Sequence, residues 1–193
     1  PKYAKDPISD MAAYTLTLDR MGALLHSHHQ VLELGCGTGT TALELAGHVK
    51  SYLGTDISPQ MIAIATAKLS QDSPPQLSFA VQDAGSFPSG PHDVILALNL
   101  LHLLPDLQEV LRQIYQALPS GGLFIAKTGL LRDGLWVLPW IIPVMRLIGK
   151  APYVRSLGET ELVDMLKSVG FHVSETLVQG GMVPRVFTVA HKP

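Results

Sequence analysis

Short apolar runs alternate along this chain with longer stretches whose apolar positions recur every three to four residues. Residues 31–34, 50–56, 77–82, 93–99 and 122–128 read as buried strands, and 8–26, 40–49, 58–70 and 106–118 read as helices. Ser58 before Pro59 marks a helix start, because a serine hydroxyl can accept an orphan amide and proline suits the first turn. A late helix is predicted over 160–169, opening on Thr160-x-x-Val163, a capping pattern without its usual acid. Residues 171–178 and 185–191 read as two strands separated by Gln179-Gly180-Gly181, an antiparallel hairpin at a sheet edge. Strands alternating with helices predict an α/β fold, a doubly wound open sheet that binds its ligand outside the carboxyl ends of the strands.

The 193 residues, 47% of them hydrophobic, suffice for one sizeable core, and no linker composition interrupts them, so a single domain over 1–193 is expected. The formal net charge is −2 and the basic residues are scattered, which leaves no footprint for a phosphate backbone; a nucleic-acid partner is not expected. Cys36, the single cysteine, excludes an internal disulfide and a multi-cysteine metal site and fits a cytoplasmic setting. No secretory signal or membrane-spanning run is visible.

The chemistry concentrates in Val31-Leu32-Glu33-Leu34-Gly35-Cys36-Gly37-Thr38-Gly39, where an apolar strand enters a turn with glycine at every second position. Such glycines let a backbone turn sharply and approach a ligand closely, and the amides of the following helix point at what the loop holds. A second strand ends in Asp56, about 20 residues beyond the first glycine, where an acid accepts hydrogen bonds from ribose hydroxyls. Glu33 lies inside the first strand, where an unpaired carboxylate is costly, so it is expected to pair with loop amides or a ligand ammonium group. The spacing Gly35-x-Gly37-x-Gly39 departs from the dinucleotide fingerprint G-x-G-x-x-G by bringing the third glycine one residue early.

With these residues the chain resembles the class I S-adenosylmethionine-dependent methyltransferases, whose motif I has the form of residues 33–39 and whose motif II ends in an acid placed like Asp56. Asp83-Ala84 after the third strand resembles motif III, and the resemblance implies that Asp83 faces the adenine amino group, with Ala84 beside it. Residues 93–104, with Asn99-Leu100-Leu101-His102, resemble motif IV, and 118–126 resemble motif V. The wording Gly54-Thr55-Asp56-Ile57-Ser58 is most similar to the small-molecule branch that includes the ubiquinone and menaquinone (type 11) methyltransferases. The resemblance implies a Rossmann-like, mostly parallel seven-stranded sheet with an antiparallel terminal hairpin strand. It also implies S-adenosyl-L-methionine as cofactor, held by Gly35, Cys36, Gly37, Gly39, Asp56, Ile57, Met61, Asp83, Ala84, Asn99 and Glu33, with Tyr3 reaching the cofactor's carboxylate from an N-terminal segment over 1–26.

Methyl transfer needs no metal, and none is expected; where the acceptor must lose a proton, His102, just past strand four, is the candidate base. Cys36 has no neighbouring base in sequence and is read as a small loop residue. His26, His28 and His29 lack acidic or cysteine companions and are read as a solvated turn. Residues 130–152, with Trp136 and Trp140 between Arg132, Arg146 and Lys150, would suit a lid over an apolar substrate, with 134–145 as a patch for a membrane surface or a partner chain. Plain packing on the sheet is the alternative for that segment. The function expected is methyl transfer to oxygen or carbon of a small apolar or aromatic acceptor. The rivals are a methyltransferase-like domain that binds cofactor without catalysis, and a nicotinamide-dependent oxidoreductase.

Overall fold

The computed structural model describes residues 11–87, 90–130, 155–180 and 184–193, apart from the side chains at positions 12 and 13. Tyr3 and the lid-like residues 131–152 lie outside the described residues. In chain order the elements are α1 (Met11–Leu24), β1 (Gln30–Leu34), α2 (Thr40–Leu45) running into a 3-10 turn at Ala46–His48, β2 (Ser51–Asp56), α3 (Pro59–Ala67), β3 (Leu77–Val81) and β4 (Val94–Leu98). A second 3-10 turn, Leu101–Leu103, precedes α4 (Leu107–Ala117), β5 (Leu123–Gly129), α5 (Glu159–Val169), β6 (His172–Gln179) and β7 (Arg185–His191).

Among the described residues seven strands form one sheet in the order β3-β2-β1-β4-β5-β7-β6. β1, β2 and β3 pair in parallel, with Leu34 opposite Thr55 and Asp56 opposite Val81, whereas β7 pairs antiparallel with both β5 and β6. The expected doubly wound sheet with an antiparallel terminal pair is what the chain forms. The chain runs outward from β1 to β3 and returns with β4 on the other side of β1, the reversal beside which open α/β sheets place ligands.

The chain divides into two compact units, Pro1–Leu96 and Ala97–Pro193. In the first, Leu32, Leu34, Tyr52 and Met21 are fully buried, and Ser58 caps α3 as its sequence predicts, its hydroxyl accepting the Met61 amide at 3.3 Å with Pro59 in the first turn. In the second, Leu107, Val110, Leu111 and Ile114 give α4 one apolar stripe at helical spacing. Phe171 meets Tyr115 edge-on at 5.0 Å between ring centres and Phe124 at 5.8 Å.

The late helix departs from expectation at its start. Gly158 is its N-cap with no side-chain bond, and Thr160 lies inside the helix. Glu159 and Glu161 instead put negative charge into the first turn, favourable to the helix dipole. The helix ends where Gly170 adopts φ 115°, a conformation that glycine takes without a Cβ penalty, while Phe171 N–H donates to the Leu166 carbonyl and Gly170 N–H to that of Lys167.

Candidate functional site

The glycine loop leaves β1 through Gly35, Gly37 and Gly39, all with positive φ (70°, 56° and 71°), so the sequence Gly-x-Gly-x-Gly is a succession of left-handed turns. The loop is held from three sides. Cys36 N–H donates to the Thr55 carbonyl at 2.8 Å, and Gly37 N–H donates to Asp56 Oδ2 at 3.0 Å. Lys68, just past the end of α3, donates from Nζ to the Thr38 carbonyl at 2.8 Å and to the hydroxyls of Thr38 and Thr40 at 3.1 and 3.0 Å.

The glycines serve different purposes. A Cβ at Gly39 would lie 2.5 Å from Phe79 Cζ, and one at Gly54 would lie 2.8 Å from Phe79 Cδ1, so both are small because the β3 phenylalanine fills the space beneath the loop. A Cβ at Gly37 would meet nothing within 4 Å. Gly37 is thus the point where the loop backbone stands bare to anything placed against it.

Asp56 is first a structural tie. Its Oδ2 accepts Gly37 N–H and its Oδ1 accepts Ser58 N–H at 2.9 Å, which fixes the loop after β1 and the turn into α3 together. Each carboxylate oxygen has a second lone pair, so both can still accept a ligand hydroxyl. Asp83 is exposed and folds its own turn, with Oδ1 accepting Gly85 N–H at 2.6 Å, while Ala84 is buried. Ile57 is 67% exposed, and Val81, opposite Asp56 in the ladder, is 49% exposed. Core packing is therefore not the work of Ile57; Met61 nearby is half-buried. The two aliphatic side chains offer an apolar edge near a carboxylate, the pairing that a nucleoside requires. Val81 was not legible as a site residue, because its alternation within β3 marks it only as a solvent-facing position.

Glu33 is 2% exposed, and its Oε2 accepts the hydroxyl of the buried Tyr52 at 2.9 Å. Its described partner is thus a phenol from the neighbouring strand, where loop amides were one expectation. Burial pushes its carboxyl up to about 7; the Tyr52 hydrogen bond opposes the shift and the charge of Asp56 adds to it. Cys36 is buried, and burial with the nearby Glu33 and Asp56 charges raises its thiol far above the ordinary range, so it stays protonated and inert. Tyr14 of α1 places its hydroxyl 3.5 Å from Thr41 Oγ1 on α2, and burial raises its pKa.

In the second unit Asn99 follows β4 with φ 57°, a strained turn for a side-chain-bearing residue, and its N–H donates to the Lys127 carbonyl at 2.6 Å. His102 sits on the next 3-10 turn, half-buried, with Nδ1 2.9 Å from Thr128 Oγ1 and its carbonyl accepting Arg155 N–H at 2.7 Å. Burial, and then the Arg185 charge, lowers its pKa.

The three histidines of the turn before β1 pack ring on ring, His28 and His29 at 4.5 Å, and His29 Nδ1 accepts the His26 amide at 3.1 Å. Among the described residues no group of three or more His, Cys, Asp or Glu side chains, these histidines included, is arranged to hold a metal ion, and no helix is long and apolar enough to cross a membrane.

A family model described as a methyltransferase domain matches residues 32–124. The magnesium-protoporphyrin O-methyltransferase of Rhodobacter capsulatus is 33% identical over 157 residues, covering 77% of this chain and 70% of that protein. The demethylmenaquinone methyltransferase of Lactococcus lactis is 33% identical over 111 residues, covering 55% of this chain and 43% of that protein. The chain spans only 5% of the length of the highly reducing polyketide synthase easB of Emericella nidulans, to which it is 34% identical over 129 residues, 60% of this chain. Among solved structures, magnesium protoporphyrin IX methyltransferase from Synechocystis with bound S-adenosylhomocysteine has the same fold, with a TM-score of 0.70 at 18% identity, covering 96% of this chain and 90% of that one. The bare backbone at Gly37, the free lone pairs of Asp56 and the exposed edge of Ile57 and Val81 suit the cofactor that such proteins use. The chain belongs to the class I S-adenosylmethionine-dependent methyltransferases, and its cofactor is S-adenosylmethionine.

Proposed function

We propose that this chain, as one domain, transfers a methyl group to oxygen or carbon of a small apolar or aromatic acceptor. The observation that carries the cofactor half is the left-handed loop tied to Asp56, with Gly37 open to a ligand. In this reading Asp56 accepts the ribose hydroxyls, Ile57, Met61 and Val81 border the adenine, Asp83 accepts its amino group through Oδ2, and Glu33 answers the ammonium group of the methionine moiety. Bound S-adenosylmethionine supplies an electrophilic methyl carbon on a sulfonium. The protein's part is to hold the acceptor atom in line with that carbon, worth at best about 7–11 kcal/mol of barrier.

The acceptor half rests on His102 and on the kinship with two proteins named as a magnesium-protoporphyrin O-methyltransferase and a demethylmenaquinone methyltransferase. The single cysteine supports a cytoplasmic setting.

Calorimetric titration with S-adenosylhomocysteine beside NADH, on the wild type and Asp56→Ala, tests the cofactor site; binding of the former alone, lost in the variant, is the expected result. Release of S-adenosylhomocysteine in the presence of lipophilic phenols, quinols and aromatic acids tests turnover. Tight cofactor binding with no turnover on any of them would favour the non-catalytic rival.

A further inference from the structure

The turn between α1 and β1, expected from sequence to be a solvated run of histidines, is closed by one of them. His26 and His28 are exposed, whereas His29 is only 9% exposed. His29 N–H donates to the His26 carbonyl at 2.9 Å, and His29 Nδ1 accepts the His26 amide in return at 3.1 Å. That amide directly follows Leu25, whose own N–H still donates to the Met21 carbonyl of α1. The His29 carbonyl accepts Lys50 N–H at 2.9 Å, just ahead of β2. One residue thus ties the end of the helix to the start of the β1–β2 pair.

This geometry works in one protonation state. A ring nitrogen that accepts an amide carries no proton, so the proton of neutral His29 is on Nε2. An imidazolium donates from both nitrogens, and Nδ1–H would then face the His26 N–H, donor against donor. The charged ring would also stand 4.5 Å from the His28 ring centre and 5.0 Å from that of His26. Asp93, ahead of β4, acts the other way: its Oδ2 accepts the amide of Gln30, next in chain to His29, at 2.8 Å, and its charge favours an imidazolium. Lys50 and His92 are the other ionisable groups on the segments that meet the turn. Burial first, then the charges of His28 and His26, outweigh Asp93 and lower the His29 pKa.

We propose that His29 is an acid-sensitive latch: neutral, it holds the end of α1 to β1 through the His26 amide, and protonated, it releases that end of the helix. The release reaches α2 as well, because Tyr14 of α1 stands 3.5 Å from Thr41, in the first turn of the helix that follows the glycine loop. The latch needs no bound cofactor and is independent of the methyltransferase reading. Its folded pKa lies below the ordinary 6.5, so the closed turn contributes fully above that pH and loses its contribution as pH falls through the folded value. Glu33, raised to about 7, acts on stability in the opposite direction, so the latch shows in local opening and not in the stability of the whole chain.

Amide hydrogen exchange in the labelled full chain, corrected for the pH dependence of the chemical step, reads the opening of residues 22–26 against the amides of β5. Between pH 7.5 and 5.0 the wild type is expected to lose protection at 22–26 by about threefold or more relative to β5. His29→Asn keeps an acceptor oxygen in place of Nδ1 and does not titrate, so its turn is expected to stay protected at both pH values. His29→Leu, with no acceptor, is expected to be open at both. A loss that is the same in the wild type and His29→Asn, or one that β5 shares equally, would overturn the proposal. Two-bond 1H–15N correlation of the histidine side chains, with His29→Asn assigning the signal, is expected to show the Nε2–H form at pH 7.5. An Nδ1–H form there would overturn it too, and these two readings decide the matter even if His29→Leu does not fold.

Discussion

The carboxylate of Asp56, at the end of β2, holds the amide of Gly37, in the loop after β1, at 3.0 Å. One side chain thereby shapes the loop and offers its remaining lone pairs to a ligand. Asp56→Ala removes both, leaving the Gly37 and Ser58 amides without their acceptor. A loss of about 1–3 kcal/mol in unfolding free energy is expected, together with at least a tenfold loss of S-adenosylhomocysteine affinity. Urea titration and calorimetry measure the two separately.

Gly37 and Gly39 separate binding from folding. Gly39→Ala drives a methyl into Phe79 at 2.5 Å and should destabilise the chain by about 1–3 kcal/mol. Gly37→Ala meets only open space and carries the left-handed penalty alone, roughly 1–2 kcal/mol. It should keep the fold and weaken S-adenosylhomocysteine by tenfold or more, because its methyl occupies the ligand's side of the loop. Thermal melts with and without S-adenosylhomocysteine distinguish the two variants.

Glu33 makes the stability of the ligand-free protein depend on pH. Its folded pKa of about 7 lies above the ordinary 4.5, so between these values the native state binds more protons than the unfolded one. Stability then falls as pH rises through this window and stays lower above it, by roughly 3 kcal/mol at about 1.36 kcal/mol per pH unit. Glu33→Gln should abolish the decline and be the more stable protein at pH 8, yet bind S-adenosylmethionine less tightly. Denaturation curves at pH 4.5 and 8 check the first expectation, calorimetry the second.

Cys36 should behave as filler. Iodoacetamide at pH 8 is expected to leave the native thiol unmodified while it alkylates the urea-unfolded chain, as mass spectrometry would read. Cys36→Ala should bind S-adenosylhomocysteine within a few-fold of the wild type, because the amide of residue 36 ties the loop to Thr55 at 2.8 Å and the thiol adds only a long contact to the Gly37 carbonyl at 3.8 Å.

What the sequence disclosed was local. Ser58-Pro59 announced the start of α3, and the glycine spacing announced the loop, because each is a backbone requirement written in adjacent residues. The partners that complete the site come from far along the chain: Tyr52 meets Glu33 across 19 positions, Lys68 meets Thr38 across 30, and Thr128 meets His102 across 26. No periodicity encodes these pairs, since they depend on strand register and on the height at which each helix ends. Phe79 shows the same limit in reverse. Gly39 is read from sequence as a ligand glycine, whereas the ring beneath it already forbids a side chain. At Thr160 the hydroxyl resembled a cap, but the chain begins the helix one residue earlier, after Gly158.

Lys68 clasps the loop at Thr38 and Thr40, through one carbonyl and two hydroxyls. A loop so fastened before any ligand arrives has already given up its conformational freedom during folding, and binding need not order it again. Association of the cofactor should then proceed at the pace of encounter, without a slow ordering phase in stopped-flow traces. In Lys68→Met, a lag or a drop in on-rate with a smaller change in off-rate would mark the entropy that the lysine removes in advance.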